Sequence, residues 1–218
     1  MRDLKHADRL LGAIDHGLRT LTGLNGGTGR LCPQPVALAQ REGAEASLSP
    51  PERRHAAALM RVNHSGEIAA QALYQGQALF ARNEEERRFL LRAGQEEADH
   101  LRWTRMRVQE LGGRTSLLDP MWYAGAFVLG ALAARLGTAA SMGFLSETEV
   151  QVEAHLKGHL VSLPESDHAS RAIVQQMMAE EQTHAGAAKR RGAADLPVPV
   201  PQLMRASAKV MTSAAYWI

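Results

Sequence analysis

The 218-residue chain is 45% hydrophobic, 22% charged and only 5% aromatic, with a formal net charge of +2. That is apolar material for one well-filled domain with a tail rather than two domains, and the charge is too mild to specify nucleic acid as a partner. The single cysteine, Cys32, excludes an internal disulfide framework and a thiolate metal site, and it is compatible with a reducing compartment.

In chain order, the opening stretch MRDLKHADRLLGAIDHGLRTL lacks an uninterrupted apolar core and a small-residue cleavage site, so no secretory signal is expected. Residues 3–22 read instead as an amphipathic helix. Residues 23–49 are rich in Gly and Pro without periodicity, the composition of a flexible linker or arm. This divides the chain into an N-terminal helix with its linker, 1–49, and a main domain, 50–218. Pro50 and Pro51 suit a helix start, and apolar residues then recur at helical spacing until Arg82 and Asn83 interrupt. A second helix of the domain runs from about Glu84 to Leu111, with an acidic start that suits the positive end of the macrodipole and Gly112 and Gly113 at its end. Asp119 and Pro120 open an apolar run from Met121 to Ala134, closed or bent by Arg135 and Gly137. Further helices are expected over 138–162, 165–191 and 201–216. No strand signal competes, and the abundance of Ala, Leu, Met, Glu, Gln and Arg favours helix on propensity. The fold class is all-α.

The spacing Glu-x-x-His, which puts both side chains on one helix face, occurs four times: Glu52/His55, Glu97/His100, Glu165/His168 and Glu181/His184. Glu52 and Glu165 follow prolines and are expected in a first helical turn, where exposed amides explain a carboxylate. The other two pairs lie inside helices, on stripes of Leu90, Ala93, Leu101 and Val108 and of Val174, Met177, Ala185 and Ala188. Buried polar groups need partners there. In an antiparallel hairpin, residues equidistant from the turn share a level. Reflecting Glu97 across Arg82-Asn83 reaches Glu67, and reflecting Glu181 across the turn at 163–165 reaches Glu149, which lies on an apolar stripe as Glu147 does not; Glu153 is a poorer fit. All four carboxylates then stand about fifteen residues, or roughly 22 Å, from their turns. Four Glu and two His in this arrangement form the ligand set of ferritin-like di-iron or di-manganese carboxylate proteins, with oxygen and nitrogen donors that suit iron or manganese. The competing reading, a core of buried ion pairs, leaves a net negative charge even with both rings protonated, which is costly to bury. His64 and Tyr74 are candidates for groups behind the ligands or for proton donors, against a surface histidine and a packed tyrosine.

The stretch MRVNHSGEIAAQALYQGQALFA, residues 60–81, together with QEEADHL, SETEVQVEAHL and AEEQTHA, resembles the 3-demethoxyubiquinol 3-hydroxylases, the di-iron monooxygenases of ubiquinone biosynthesis. The likeness covers about residues 50–218. It implies a ferritin-like four-helix bundle with two iron ions per subunit, held by Glu67, Glu97, His100, Glu149, Glu181 and His184, with Glu97 and Glu181 as bridges. It also implies a role near the substrate quinol for His155. The implied reaction inserts one atom of O2 into a C–H bond of a polyprenylated benzoquinol. No Gly-rich dinucleotide fingerprint follows a strand, so no bound nicotinamide or flavin is expected, and electrons would come from outside the chain or from the quinol. A ferroxidase or a di-iron tRNA hydroxylase are the alternatives. The first has no evident need for the apolar insertion, and the second would show a basic, aromatic-bearing face.

An insoluble substrate tail calls for a membrane surface. Residues 121–145 hold about fourteen uninterrupted apolar residues, short of the ~20 that span a bilayer, and Arg135 interrupts them. Lying in the interface is expected instead, with Trp122, Tyr123 and Phe127 as anchors; packing inside the bundle is the alternative. The C-terminal helix adds Met204, Val210, Met211, Tyr216 and Trp217, with Arg205 and Lys209 for anionic head groups. The expectation is apolar membrane-facing helices on a peripheral protein of the cytoplasmic face of the cell inner membrane. A second copy of the chain or partner proteins of ubiquinone biosynthesis would complete its contacts.

Overall fold

Local capping sets where three of the helices begin. The computed structural model describes residues 2–33 and 48–218, and its regular elements are α1 Arg2–Thr22, α2 Pro50–Phe80, α3 Glu84–Glu110, α4 Asp119–Leu136, α5 Thr138–Ser162, α6 His168–Arg190 and α7 Pro199–Trp217. No strand occurs among the described residues. At the start of α2 the Ser49 backbone N–H donates to the Glu52 carboxylate at 2.9 Å, completing a capping box. Glu52 is therefore a cap, as its place after two prolines predicts. At α3, Asn83 Oδ1 accepts from the Glu86 N–H at 2.8 Å. At α6 the expected start moves: Asp167 Oδ1 accepts the Ser170 N–H at 3.0 Å, so the helix opens at His168 and Glu165 lies in the turn ahead of it rather than in its first turn. Between α4 and α5, Gly137 takes φ +119, a backbone region that favours glycine, and breaks the apolar run into two helices.

Two antiparallel hairpins, α2 with α3 and α5 with α6, pack together through contacts of α3 with α6 and of α2 with α5. Their apolar residues fall into two clusters. One holds Met60, Trp103, Val108, Leu156, Ile173 and Met177; the other holds Leu73, Leu90, Ala93, Met142, Leu145 and Ala188. Along each of the four helices the six predicted ligands fall between these clusters in sequence, in opposite order in the two members of each hairpin. The ligands thus form a polar layer between two apolar ones.

α4 lies along α2, and α1 packs on both. The approach of α4 to α2 is made by glycines: a Cβ on Gly76 would sit 2.2 Å from the Phe127 carbonyl oxygen, and one on Gly130 2.3 Å from that of Leu73. One side of α4 is consequently buried at Gly130, Ala133 and Ala134, while Met121, Val128, Leu129, Leu132 and Leu136 are exposed. The packing alternative holds for one side of this run, and the other side is exposed. No helix among the described residues is long and apolar enough to cross a membrane. Of the expected linker, residues 34–47 lie outside the described residues, while Thr28 and Arg30 are bonded to Asp99 on α3.

Candidate metal centre

Glu67 on α2, Glu97 and His100 on α3, Glu149 on α5, and Glu181 and His184 on α6 are all buried. Their functional atoms converge. His100 Nδ1 lies 2.8 Å from Glu97 Oε2, 3.4 Å from Glu181 Oε1 and 4.0 Å from Glu67 Oε2. His184 Nδ1 lies 2.5 Å from Glu97 Oε1 and 3.8 Å from Glu181 Oε2. Two groups, Glu67 with Glu97 and His100, and Glu97 with Glu181 and His184, each place one donor atom per residue within 4.8 Å of the others. Glu97 belongs to both. Glu149 joins through Glu181 and accepts a hydrogen bond from the Tyr74 hydroxyl at 2.7 Å on Oε1. Glu147 and the poorer candidate Glu153 bond elsewhere, Glu147 to Gln151 and Arg205, and Glu153 to Gln182.

These donors fit a metal. Both Nδ1 atoms, both oxygens of Glu97 and one of Glu181 are buried with no hydrogen-bond partner, although they approach one another closely. Carboxylate oxygens and imidazole nitrogens that converge this closely in a buried layer would be joined either by protons or by a cation, and this donor set suits iron or manganese. Electrostatics agrees. Burial drives the Glu67 and Glu149 carboxyls well above their ordinary range, and the neighbouring Glu181 and Glu97 charges push Glu149 further. Burial would also raise Glu97, but the two imidazoles beside it outweigh that and hold it low. Burial opposes the charged form of His184, yet the bonds with Glu181 and Glu97 lift it to about 12. Positive charge is what this layer lacks.

Directly behind the rings stand two residues that the apolar stripes pass over. His100 Nε2 lies 2.7 Å from Glu180 Oε2, and His184 Nε2 lies 3.0 Å from Glu96 Oε2. The pairs cross, each imidazole being backed by a carboxylate from the opposite helix. Their only trace in the sequence is the doubling Glu96-Glu97 and Glu180-Glu181, one before each Glu-x-x-His. With Nε2 engaged by a carboxylate, each ring is set with Nδ1 inward.

The remaining candidates separate. Tyr74 touches the layer through Glu149, and burial with the nearby carboxylates keeps its hydroxyl protonated. His64 is not at the surface: it is buried, 3.4 Å from the Thr104 hydroxyl and 3.7 Å from Asp119, which accepts from Ser65 at 2.7 Å. The start of α4 covers it. His155 lies six residues beyond Glu149 on α5 and packs on the His159 ring at 4.0 Å between centroids, with Nε2 buried and unpartnered. No hydrogen bond or ion pair joins it to the six.

Comparison with known proteins identifies the family. A family model described as Ubiquinone biosynthesis protein COQ7 matches residues 54–215. Proteins named 3-demethoxyubiquinol 3-hydroxylase are similar over nearly the full chain. That of Bordetella petrii is 51% identical over 97% of this chain and 91% of its own length. That of Ralstonia pickettii is 51% identical over 97% and 99%, and that of Nitrosospira multiformis 51% over 99% and 100%.

Proposed function

The chain belongs to the ubiquinone biosynthesis protein COQ7 family, and from that premise we propose that it is a 3-demethoxyubiquinol 3-hydroxylase, a di-iron monooxygenase acting on a polyprenylated benzoquinol with O2. The observation that carries this reading is the convergence of four carboxylates and two imidazoles in one buried layer of a chain half identical to hydroxylases of that name. The hairpins α2–α3 and α5–α6 are read as a ferritin-like four-helix bundle. One iron ion would be held by Glu67, Glu97 and His100, and a second by Glu97, Glu181 and His184 with Glu149 beside them. When bound as a ferrous pair, the metals would supply two electrons, which with two protons let one atom of O2 enter the ring C–H bond as a hydroxyl and the other leave as water, the electrons being restored from outside the chain or by the quinol.

The chain's own residues prepare that chemistry. Glu97 and Glu181 each reach both imidazoles and so tie the two metal positions together. Glu180 and Glu96 orient the rings. Tyr74 is a positioning residue that selects which Glu149 oxygen faces inward. Trp103 and Tyr74, fully buried in the two flanking apolar layers, exclude water. His155 is retained as a quinol contact because its buried Nε2 has no partner.

The substrate tail implies a lipid surface. The exposed apolar side of α4, joined by exposed Leu10, Leu11, Ile14 and Leu18 of α1 and by Leu203, Val210 and Trp217 of α7, supports docking on a bilayer by helices that lie in the interface. We place the protein peripherally, on the cytoplasmic side of the cell inner membrane, with two domains divided near residue 49. The test is direct: reduced, iron-loaded protein given labelled O2 and a short-tailed demethoxyquinol yields a product heavier by one labelled oxygen atom. Label arriving from water, or a hydroxylated transfer RNA with no quinol product, would sink the proposal.

A further inference from the structure

A chain of contacts leads from the back of His100 to the segment that follows α1. Glu180, which accepts from His100 on Oε2, accepts from Arg30 Nη1 on Oε1 at 2.6 Å. The same guanidinium donates from Nε to Asp99 Oδ2 at 2.8 Å and from Nη2 to the Glu96 carbonyl oxygen at 3.3 Å, and it lies 5.1 Å from the Trp103 ring centroid. Arg30 therefore grips three positions, each next to a residue of the candidate centre: Asp99 beside His100, Glu180 beside Glu181, and Glu96 beside Glu97. The loop is shaped for the task. Gly27 and Gly29 adopt φ +58 and +82, and a Cβ on Gly27 would fall 2.4 Å from Asp99 Oδ1. Asp99 also accepts the Thr28 and Gly29 N–H groups at 3.2 and 3.3 Å and the Thr28 hydroxyl. Arg102 in turn donates to the Arg30 carbonyl.

Among the described residues the other imidazole has no such clamp. The Glu96 side chain behind His184 is 53% exposed, against 17% for Glu180, and no guanidinium bonds to the Glu96 carboxylate among the described residues. We infer that Arg30 is a positioning residue for one half of the metal centre, holding Glu180 on His100 from outside the bundle. This rests on the metal reading given above. An arginine suits the role because its planar fork can serve two carboxylates at once, whereas lysine offers a point charge. Partners behind a metal-bound histidine change metal affinity by about 10–100-fold when removed. Arg30 acts one residue further out, so its effect belongs at the lower end.

The experiment follows release of iron(II) from the anaerobically loaded full chain to a chromophoric chelator. The wild type sets the rate. Arg30→Ala should release about half of its iron roughly tenfold faster, since only the His100 half loses its clamp, while the other half leaves at the wild-type rate. Arg30→Lys should lie between the two. Glu180→Gln should reproduce the fast half, and if the alanine variant fails to fold, Arg30→Lys carries the test, a wild-type rate there overturning the assignment. Arg19→Ala, which removes only an exposed pair with Asp15, should match the wild type. Thr28→Val removes a bond to Asp99 without touching Glu180. If it speeds release as much as Arg30→Ala, the effect comes from docking of the arm, and the assignment falls. It falls equally if Arg30→Ala releases iron at the wild-type rate, whatever Glu180→Gln does. A wild type that binds no iron sinks the metal reading itself, and this assignment with it.

Discussion

Stabilisation by metal should divide among the carboxylates according to how many donor groups each belongs to. A ligand present at about 100 times its Kd stabilises the folded state by about 2.7 kcal/mol per site. Two sites give about 5 kcal/mol, and a chain of this length gains about 2–4 °C in Tm for each kcal/mol. Anaerobic ferrous iron should therefore raise the Tm of the wild type by about 10–20 °C. Glu97 is shared by both groups and touches both imidazoles, so Glu97→Ala should abolish nearly the whole shift. Glu67 belongs to one group only, so Glu67→Ala should keep about half, roughly 5–10 °C. Glu52 is an exposed cap of α2. Glu52→Ala should lower the starting Tm slightly and leave the shift whole. Scanning calorimetry with and without iron(II) measures all four proteins, and referring each variant to its own metal-free form removes any damage the substitution does to the fold. Equal shifts in Glu97→Ala and Glu52→Ala would refute the assignment of the layer as a metal centre. A shift in Glu67→Ala as small as in Glu97→Ala would refute its division into two sites that share Glu97.

Val128→Glu with Leu132→Glu, both on the exposed side of α4, should reduce flotation with anionic vesicles and activity on a long-tailed quinol, while iron content and turnover of a short-tailed analogue stay level; unchanged flotation would mean that this side does not meet the bilayer. Tyr74→Phe leaves one buried oxygen of Glu149 without its donor, at a cost of about 1–3 kcal/mol, so chemical denaturation of the metal-free variant should show that loss while kcat falls more than KM rises. Gly158→Ala on α5, where a Cβ meets nothing within 4 Å, should stabilise by up to about 1 kcal/mol on helix propensity. Gly76→Ala should do the reverse by a net ~1 kcal/mol or more, because overpacking against the Phe127 backbone costs about 1–3 kcal/mol; Tm changes of the same sign in both would contradict the close approach of α2 and α4.

Much of this centre is legible in one dimension because helices convert spacing into direction. Glu97 and His100, or Glu181 and His184, declare themselves by sharing an apolar stripe at a spacing of three residues. Glu67 and Glu149 follow from the geometry of hairpins, where equal distance from a turn means equal height. The same reasoning is blind to Glu96 and Glu180. Each lies one residue off its stripe, about 100° around the helix, which reads as a solvated position. Only the crossing of α3 with α6 turns each toward the opposite histidine. The burial of His64 is missed for a related reason: the start of α4, bringing Asp119 over Ser65 and His64, covers it through a contact no local pattern encodes. At the start of α6 two cap signals compete within four residues, Pro164-Glu165 and Asp167. The structure takes Asp167, whose side chain reaches the Ser170 N–H.

The two halves of the layer repeat a donor motif but not its surroundings, and that inequality bears on how a lipid-borne ring could reach it. Both imidazoles turn Nε2 outward to carboxylates of α3 and α6, with Arg30 over one of them. That side is a charged cover, and an apolar tail passing through it would strip water from Glu180, Glu96 and Arg30 without replacing their bonds. On the α2 and α5 side, Glu149 has Tyr74 behind it, and α4 packs on α2 with its outer side apolar and exposed. The lower desolvation cost for a polyprenyl chain lies on that side. The doubled Glu-Glu-x-x-His motif would then serve two purposes at once, giving each metal its histidine and closing the face through which the substrate does not come.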